Sequence, residues 1–194
     1  MAKLKISIAG GQNIPKSFVG MDIAKLKGVK YVGNLLDFGE DSIWKQIKDK
    51  SVDEYECSHF IEHIPHGDGF NDPFFQFFDE VYRTLKAVKL DPDNPNVPLN
   101  GFARFVTPYY TSMRAFQDPT HQRYITDMTL YYLDKNWRKQ NKLDHYNVNC
   151  DFKFNAFYNI NGRLINRNQE YQQNAFQTEW NAIDDLVFTL WREK

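Results

Sequence analysis

The sequence predicts one α/β domain spanning residues 1–194, with a mostly parallel sheet flanked by helices and an antiparallel hairpin at its C-terminal edge. Three observations carry this reading. Short apolar, β-branched runs alternate with loops or helix-patterned stretches over residues 4–110. Residues 71–86 form one strongly amphipathic helix pattern. Two late stretches, 150–160 and 183–194, alternate apolar and polar residues as half-buried strands do.

The elements follow in order. "LKISIAGG" (4–11) is an apolar run stopped by two glycines, a buried strand entering a tight turn. "KSFVGMDI" (16–23) and "VKYVGNLLDF" (29–38) supply the second and third strands, the second ending at Asp22. "EDSIWKQIKDK" (40–50) places Ile43, Trp44 and Ile47 at helical spacing and predicts a short helix. "VDEYECS" (52–58) is the fourth strand, and "HFIEHI" (59–64) is a brief turn or helix ended by Pro65.

The helix over 71–86 opens with a capping Asp72 and with Pro73, which the first turn tolerates. Its Phe74, Phe77, Phe78, Val81 and Leu85 share one face and belong in the core. "KLDPDNPNVPLNG" (89–101), with three prolines, is expected to be a surface loop. "FARFVTPYY" (102–110) is the fifth strand and "MTLYYLDKNWRKQ" (128–140) a helix. An Asn/Gln-rich excursion then joins the two strands of the terminal hairpin. No repeat or linker divides the chain.

Composition narrows the function. Lys plus Arg number 24 against 25 Asp plus Glu, a net charge of -1, which argues against a dedicated nucleic-acid binder. Aromatic residues make up 16% of the chain, enough to build an aromatic core and line a pocket. Cys57 and Cys150 are the only cysteines, so a reducing, cytoplasmic setting is expected. The N-terminal apolar run is too short for a signal peptide or a membrane span, and no membrane contact is expected.

The stretch "CSHFIEHIPHG" (57–67) concentrates chemistry: His59, Glu62 and His63 spell H-x-x-E-H, a zinc peptidase pattern. Gly10-Gly11 after the first strand and Asp22 after the second are a different signal. In open α/β sheets ligands sit beyond the carboxyl ends of the strands, where glycine lets the backbone approach. An acid at the end of strand two can bind a ribose diol, or can be a solvated strand-end residue.

The succession "ISIAGGQN", "FVGMDI", "VGNLLDF", "SVDEYECSHFIEHIP", "FDEVYRTLK", "FVTPYYTSMRAFQDPTHQR" resembles the class I S-adenosylmethionine-dependent methyltransferases, small type 11-like enzymes among them. The resemblance covers residues 4–133. It implies a Rossmann-like fold, S-adenosylmethionine as cofactor, and methyl transfer to a small-molecule or sugar acceptor. It says nothing of oligomeric state. By this resemblance Ala9, Gly10 and Gly11 form the glycine loop beneath the cofactor. Asp22 binds the ribose with Ile23 beside the adenine, Asn34 and Leu35 read the adenine edge, and Cys57 and Ser58 face the sulfonium. The sequence departs from the family at Ser7, where an acid is usual, at Ala9, where a glycine is usual, and at Asn34, where aspartate is common. The first two departures keep a non-catalytic member of the fold as an alternative. Only about ten residues separate the first two strands, close to the minimum for a parallel crossover, so a loop rather than a full helix is expected there.

The resemblance also offers an answer to H-x-x-E-H. A zinc peptidase needs a sustained helix under both histidines and a further ligand. Pro65 cuts the helix short and no pattern marks the further ligand, so no metal is expected, with a zinc hydrolase left as the alternative. His59, His63 and His121 are the candidate catalytic residues on the acceptor side, with Tyr109, Tyr110 and Arg114 able to orient a substrate. "DPTHQR" (118–123) can equally be a well-bonded loop, and His66 and His145 are expected at the surface.

Overall fold

The computed structural model describes residues 3–68, 70–94 and 97–193. Among the described residues, seven strands form one sheet, in the order Val29–Val32, Val19–Asp22, Lys5–Ile8, Glu54–Ser58, Phe102–Pro108, Ile183–Arg192, Phe152–Ile160. Parallel β1 (Lys5–Ile8), β2 (Val19–Asp22), β3 (Val29–Val32), β4 (Glu54–Ser58) and β7 (Phe102–Pro108) make its body. The expected C-terminal hairpin is present: β9 (Ile183–Arg192) runs antiparallel to β7, with β8 (Phe152–Ile160) on the edge. The chain leaves β1 toward β3 and returns to β4 on β1's other side, so the strand order reverses between β1 and β4. A crevice forms at such a reversal.

Register sorts the side chains. Ile6, Ile8, Tyr55, Cys57, Phe105 and Phe188 share one face and are buried. Phe105 and Phe188 are cross-strand partners, stacked with centroids 5.1 Å apart. Onto this face packs α1 (Pro73–Thr84), its Phe78 ring 5.2 Å and Phe77 ring 6.3 Å from Phe105. Asp72 accepts from Phe74 N and Pro73 takes the first turn, as their order predicts. The opposite face carries Ser7, Glu56, Arg104 and Thr189 in one row, a polar surface.

Three local expectations need correction. Residues 40–50 make only one 3₁₀ turn, Ile43–Gln46, held where Trp44 Nε1 donates to Leu35 O at 2.9 Å. Within 89–101, β5 (Lys89–Leu90) and β6 (Pro98–Asn100) pair antiparallel; Pro95 and Asn96 of that expected loop lie outside the described residues, as does Lys194 of the last strand. After α2 (Arg114–Gln117), the expected helix over 128–140 is two, α3 (Asp127–Tyr131) and α4 (Lys135–Gln140). Asp134 makes the break by accepting from Asn136 N and Trp137 N, which starts a new helix. The Asn/Gln-rich excursion holds α5 (Gln169–Thr178), capped by Asn168. Helices α3 and α5 meet the apolar face of β8 through Tyr131–Phe154 and Phe176–Tyr158.

The β1–β2 connection is a loop, as its length requires, and residues 23–28 return the chain to β3 in still less. A parallel return usually takes a dozen residues or more. The close approach needs Gly20, where a Cβ would lie 2.9 Å from Val29 Cγ2 and 3.0 Å from Val29 Cα. No helix among the described residues is long and apolar enough to cross a membrane.

Candidate active site

The loop after β1 is built from unusual backbone. Ala9 and Gly11 have φ of 51° and 54°, and Ala9 N donates to Met21 O at 2.8 Å. At Gly10 a Cβ would stand 2.6 Å from Ser7 Oγ. Asp22 ties this loop to β2: one carboxylate oxygen accepts from Gly11 N at 3.1 Å, the other from Ala24 N at 2.9 Å. Both oxygens keep lone pairs, but the side chain is buried and its first duty is to the backbone.

Beyond the ends of β1 and β4 lies a crevice of about 410 Å³, lined by Ser7, Ala9, Gly10, Glu56, Ser58 and His59 among others. Three cofactor candidates, Ala9, Gly10 and Ser58, line it directly. Gly11 and Asp22 do not line it and are joined to each other instead. Ile23 is 70% exposed, and Asn34 is exposed with its side-chain oxygen accepting from Leu36 N. Leu35 and Cys57 are core residues, so any cofactor contact from Leu35 would be through its backbone. Burial pushes the Cys57 thiol well up, with Glu62 and Glu56 adding to it, so it is no nucleophile.

Glu56 is the residue the sequence reading missed. It is half-buried, faces the same crevice, and is the cross-strand partner of Ser7. A carboxylate thus stands one strand over from Ser7. The signal was present in the alternation Glu54-Tyr55-Glu56-Cys57, which turns both acids to one face.

His59 also lines a second hollow of about 410 Å³ together with His63, Arg114, Asp118 and His121. Its backbone sits at φ 54°, a left-handed conformation uncommon outside glycine. His59 Nδ1 is 3.3 Å from Glu62 Oε1, and that carboxylate raises the His59 pKa against the lowering effect of burial. Glu62 is 1% exposed; its Oε2 accepts from Thr107 Oγ1 at 3.0 Å. The rings of His63 and His121 meet edge to face at 4.6 Å. His121 Nδ1 donates to Ala115 O at 3.0 Å, and His63 Nδ1 lies 2.9 Å from Thr120 Oγ1. Residues 118–123 therefore are a well-bonded loop and also bring His121 to the hollow.

The other acceptor-side candidates sort by burial. Arg114 reaches the hollow and pairs with Asp185 at 3.1 Å. Burial first, then Asp127, which accepts its hydroxyl at 3.0 Å, pushes the Tyr109 phenol far above its ordinary range and removes it as a base. Tyr110 is 41% exposed beside it. His66 and His145 are at the surface. A further hollow of about 360 Å³ under residues 122–125 is lined by Phe74, Phe75 and Tyr132, and the strand-end groups do not reach it.

Solved structures share this architecture. A methyltransferase dependent on S-adenosylmethionine from Archaeoglobus fulgidus matches with a TM-score of 0.59 at 17% identity, over 98% of this chain and 86% of its own. Another from Mesorhizobium loti matches with a TM-score of 0.51 at 11% identity, over 98% and 91%. The chain has the S-adenosylmethionine-dependent methyltransferase fold. No protein-family model and no curated protein sequence matches it. In this methyltransferase fold the strand reversal between β1 and β4 is where the two hollows meet, at His59.

Proposed function

We propose that the chain is an S-adenosylmethionine-dependent methyltransferase acting on a small-molecule or sugar acceptor. The observation that carries this is the pair of hollows at the strand reversal, one lined by backbone and Glu56, the other by histidines, joined at His59. The crevice residues suit the cofactor chemically. Glu56 offers a carboxylate to an ammonium group, the loop from Ala9 to Gly11 offers close backbone approach, and Ser58 offers a hydroxyl. Asp22 and Asn34 keep oxygen lone pairs for ribose and adenine, and exposed Ile23 offers an apolar flank. When bound, S-adenosylmethionine supplies a methyl group already activated on a sulfonium.

What remains for the protein is to align an acceptor, exclude water and take up a proton. His59 stands where the hollows meet and is the group placed to receive that proton, with Glu62 beneath it to stabilise the imidazolium. His121, His63 and Arg114 shape the acceptor side. The near-neutral charge directs this reading toward a small acceptor rather than nucleic acid, with the chain working as one unit. Both cysteines are buried free thiols, which fits a reducing cytoplasm.

The test is a product screen: purified protein, S-adenosylmethionine and pools of hydroxyl- and amine-bearing metabolites, read by mass spectrometry. A product heavier by one methylene, formed with S-adenosylhomocysteine, is the expected result. His59→Ala should then lower turnover by about 10²–10⁴. Folded protein that neither binds cofactor nor methylates any pool would overturn the reading.

A further inference from the structure

Glu62, His63 and His121 each bring a ligand atom to within 4.8 Å of the others. Hydrogen bonding decides which atoms are free. Thr120 Oγ1 spends its proton on Asp118 Oδ1 at 2.7 Å, so it can only accept from His63 Nδ1. His121 Nδ1 must likewise donate to the Ala115 carbonyl. In its neutral form each ring would therefore carry its proton on Nδ1 and leave Nε2 as a bare lone pair. On Glu62, Thr107 satisfies Oε2, while the buried Oε1 has only a long contact of poor geometry, His59 Nδ1 at 3.3 Å, and keeps a lone pair free. A buried carboxylate oxygen held by one long contact is poorly satisfied, and such groups call for an explanation.

We propose that these three side chains bind a divalent first-row transition ion through Glu62 Oε1 and the Nε2 atoms of His63 and His121. Two imidazoles and one carboxylate are a donor set for zinc or iron rather than for magnesium or calcium. Each histidine already makes the outer hydrogen bond that metal-bound histidines use to fix their tautomer, His121 to a carbonyl and His63 through Thr120 to Asp118. Bonds of about 2.1 Å put tetrahedral ligand atoms about 3.4 Å apart, so the three side chains would close in on a bound ion. The absence of a further ligand was the sequence's argument against metal, and His121 fills that place. The set differs from the peptidase pattern, because Glu62 acts as ligand and His59 stays outside.

The site rests on its own side chains and does not depend on the methyl-transfer reading. Within that reading, His63 and His121 line the hollow shared with His59 and Arg114, where an acceptor oxygen coordinated to the ion would lose its proton more readily.

The experiment is a zinc titration of chelator-treated full-length protein by calorimetry, repeated with cobalt and followed by visible absorption. One zinc per chain is expected, with cobalt giving the intense bands of a low-coordinate site. Glu62→Gln and His121→Ala should each weaken zinc by at least about tenfold, and surface His145→Ala should leave it unchanged. No saturable binding by folded protein at about 100 μM zinc would overturn the proposal. So would binding unchanged in both folded ligand variants, or weakened equally by His145→Ala. Circular dichroism verifies folding, and His121→Ala keeps the test open if Glu62→Gln does not fold. A titration with S-adenosylhomocysteine on the same samples tests the methyltransferase reading separately.

Discussion

The two flanks of the sheet are built by different means. On the β1–β3 side the strands have four residues each, joined by residues 9–18 and 23–28. Backbone bonds hold them: Ala9 N to Met21 O, Gly20 N to Gly28 O at 2.8 Å, Gly33 N to Asp22 O at 3.0 Å, and the two N–H groups on the Asp22 carboxylate. On the other side β7, β8 and β9 have seven, nine and ten residues, and interlocking aromatic rings hold them to α1, α3 and α5. The lesson is a division of labour. A flank made of backbone offers a fixed cradle that a ligand could approach closely. A flank made of packed side chains gives a rigid support beside which polar side chains can be held in fixed positions.

The largest effect should come from the aromatic flank. Phe105 is fully buried among Phe77, Phe78 and Phe188, so Phe105→Ala should cost about 3–5 kcal/mol of stability, seen as a large fall in the urea midpoint. An effect below about 1 kcal/mol would show that these rings do not hold the flank.

On the backbone flank, Asp22→Ala leaves two N–H groups without their acceptor. It should cost about 1–3 kcal/mol and weaken S-adenosylhomocysteine about ten- to a hundredfold by calorimetry. Asp22→Asn keeps an acceptor oxygen and should recover part of the stability. Wild-type affinity in a folded Asp22→Ala variant would remove the loop's tie to Asp22 from the account.

Between the flanks, Asp53 gives the smallest effect. Burial alone would raise its pKa, but Lys86 at 2.8 Å and Leu4 N at 2.9 Å outweigh this and hold it low. A carboxyl lowered in the folded state contributes stability above its unfolded pKa of about 3.9, and that contribution disappears as pH falls through the folded value. The stability gap between wild type and Asp53→Asn should therefore narrow as the pH is lowered from about 5 to about 3. A gap that widens on acidification would contradict the assignment.

The sequence made the backbone of this fold legible where period and punctuation were strong. The stripe of α1, the turn at Gly10, the strand end at Asp22 and the two terminal strands all rest on local pattern, though β9 is buried on both faces between β7 and β8 rather than half-buried. Misjudged elements depended on partners far along the chain. The 3₁₀ turn at Trp44 stops because its indole ring is tied to Leu35 and packs on Phe77. Helix α4 begins at Asp134, whose cap a hydrophobic period does not register. At the site, the histidines could be named, but their relation could not. His63 and His121 are brought ring to ring by residues 118–123, and the Glu56–Ser7 pairing follows from register across the β1–β4 reversal.

The central claim is that cofactor and acceptor occupy separate hollows that meet at His59. Calorimetry with S-adenosylhomocysteine on wild type, Glu56→Gln and His121→Ala tests it most directly. The account predicts saturable one-to-one binding by wild type, weakening of about tenfold in Glu56→Gln, and affinity within about threefold of wild type in His121→Ala. No binding by folded wild-type protein, or loss of binding in His121→Ala with none in Glu56→Gln, would contradict it.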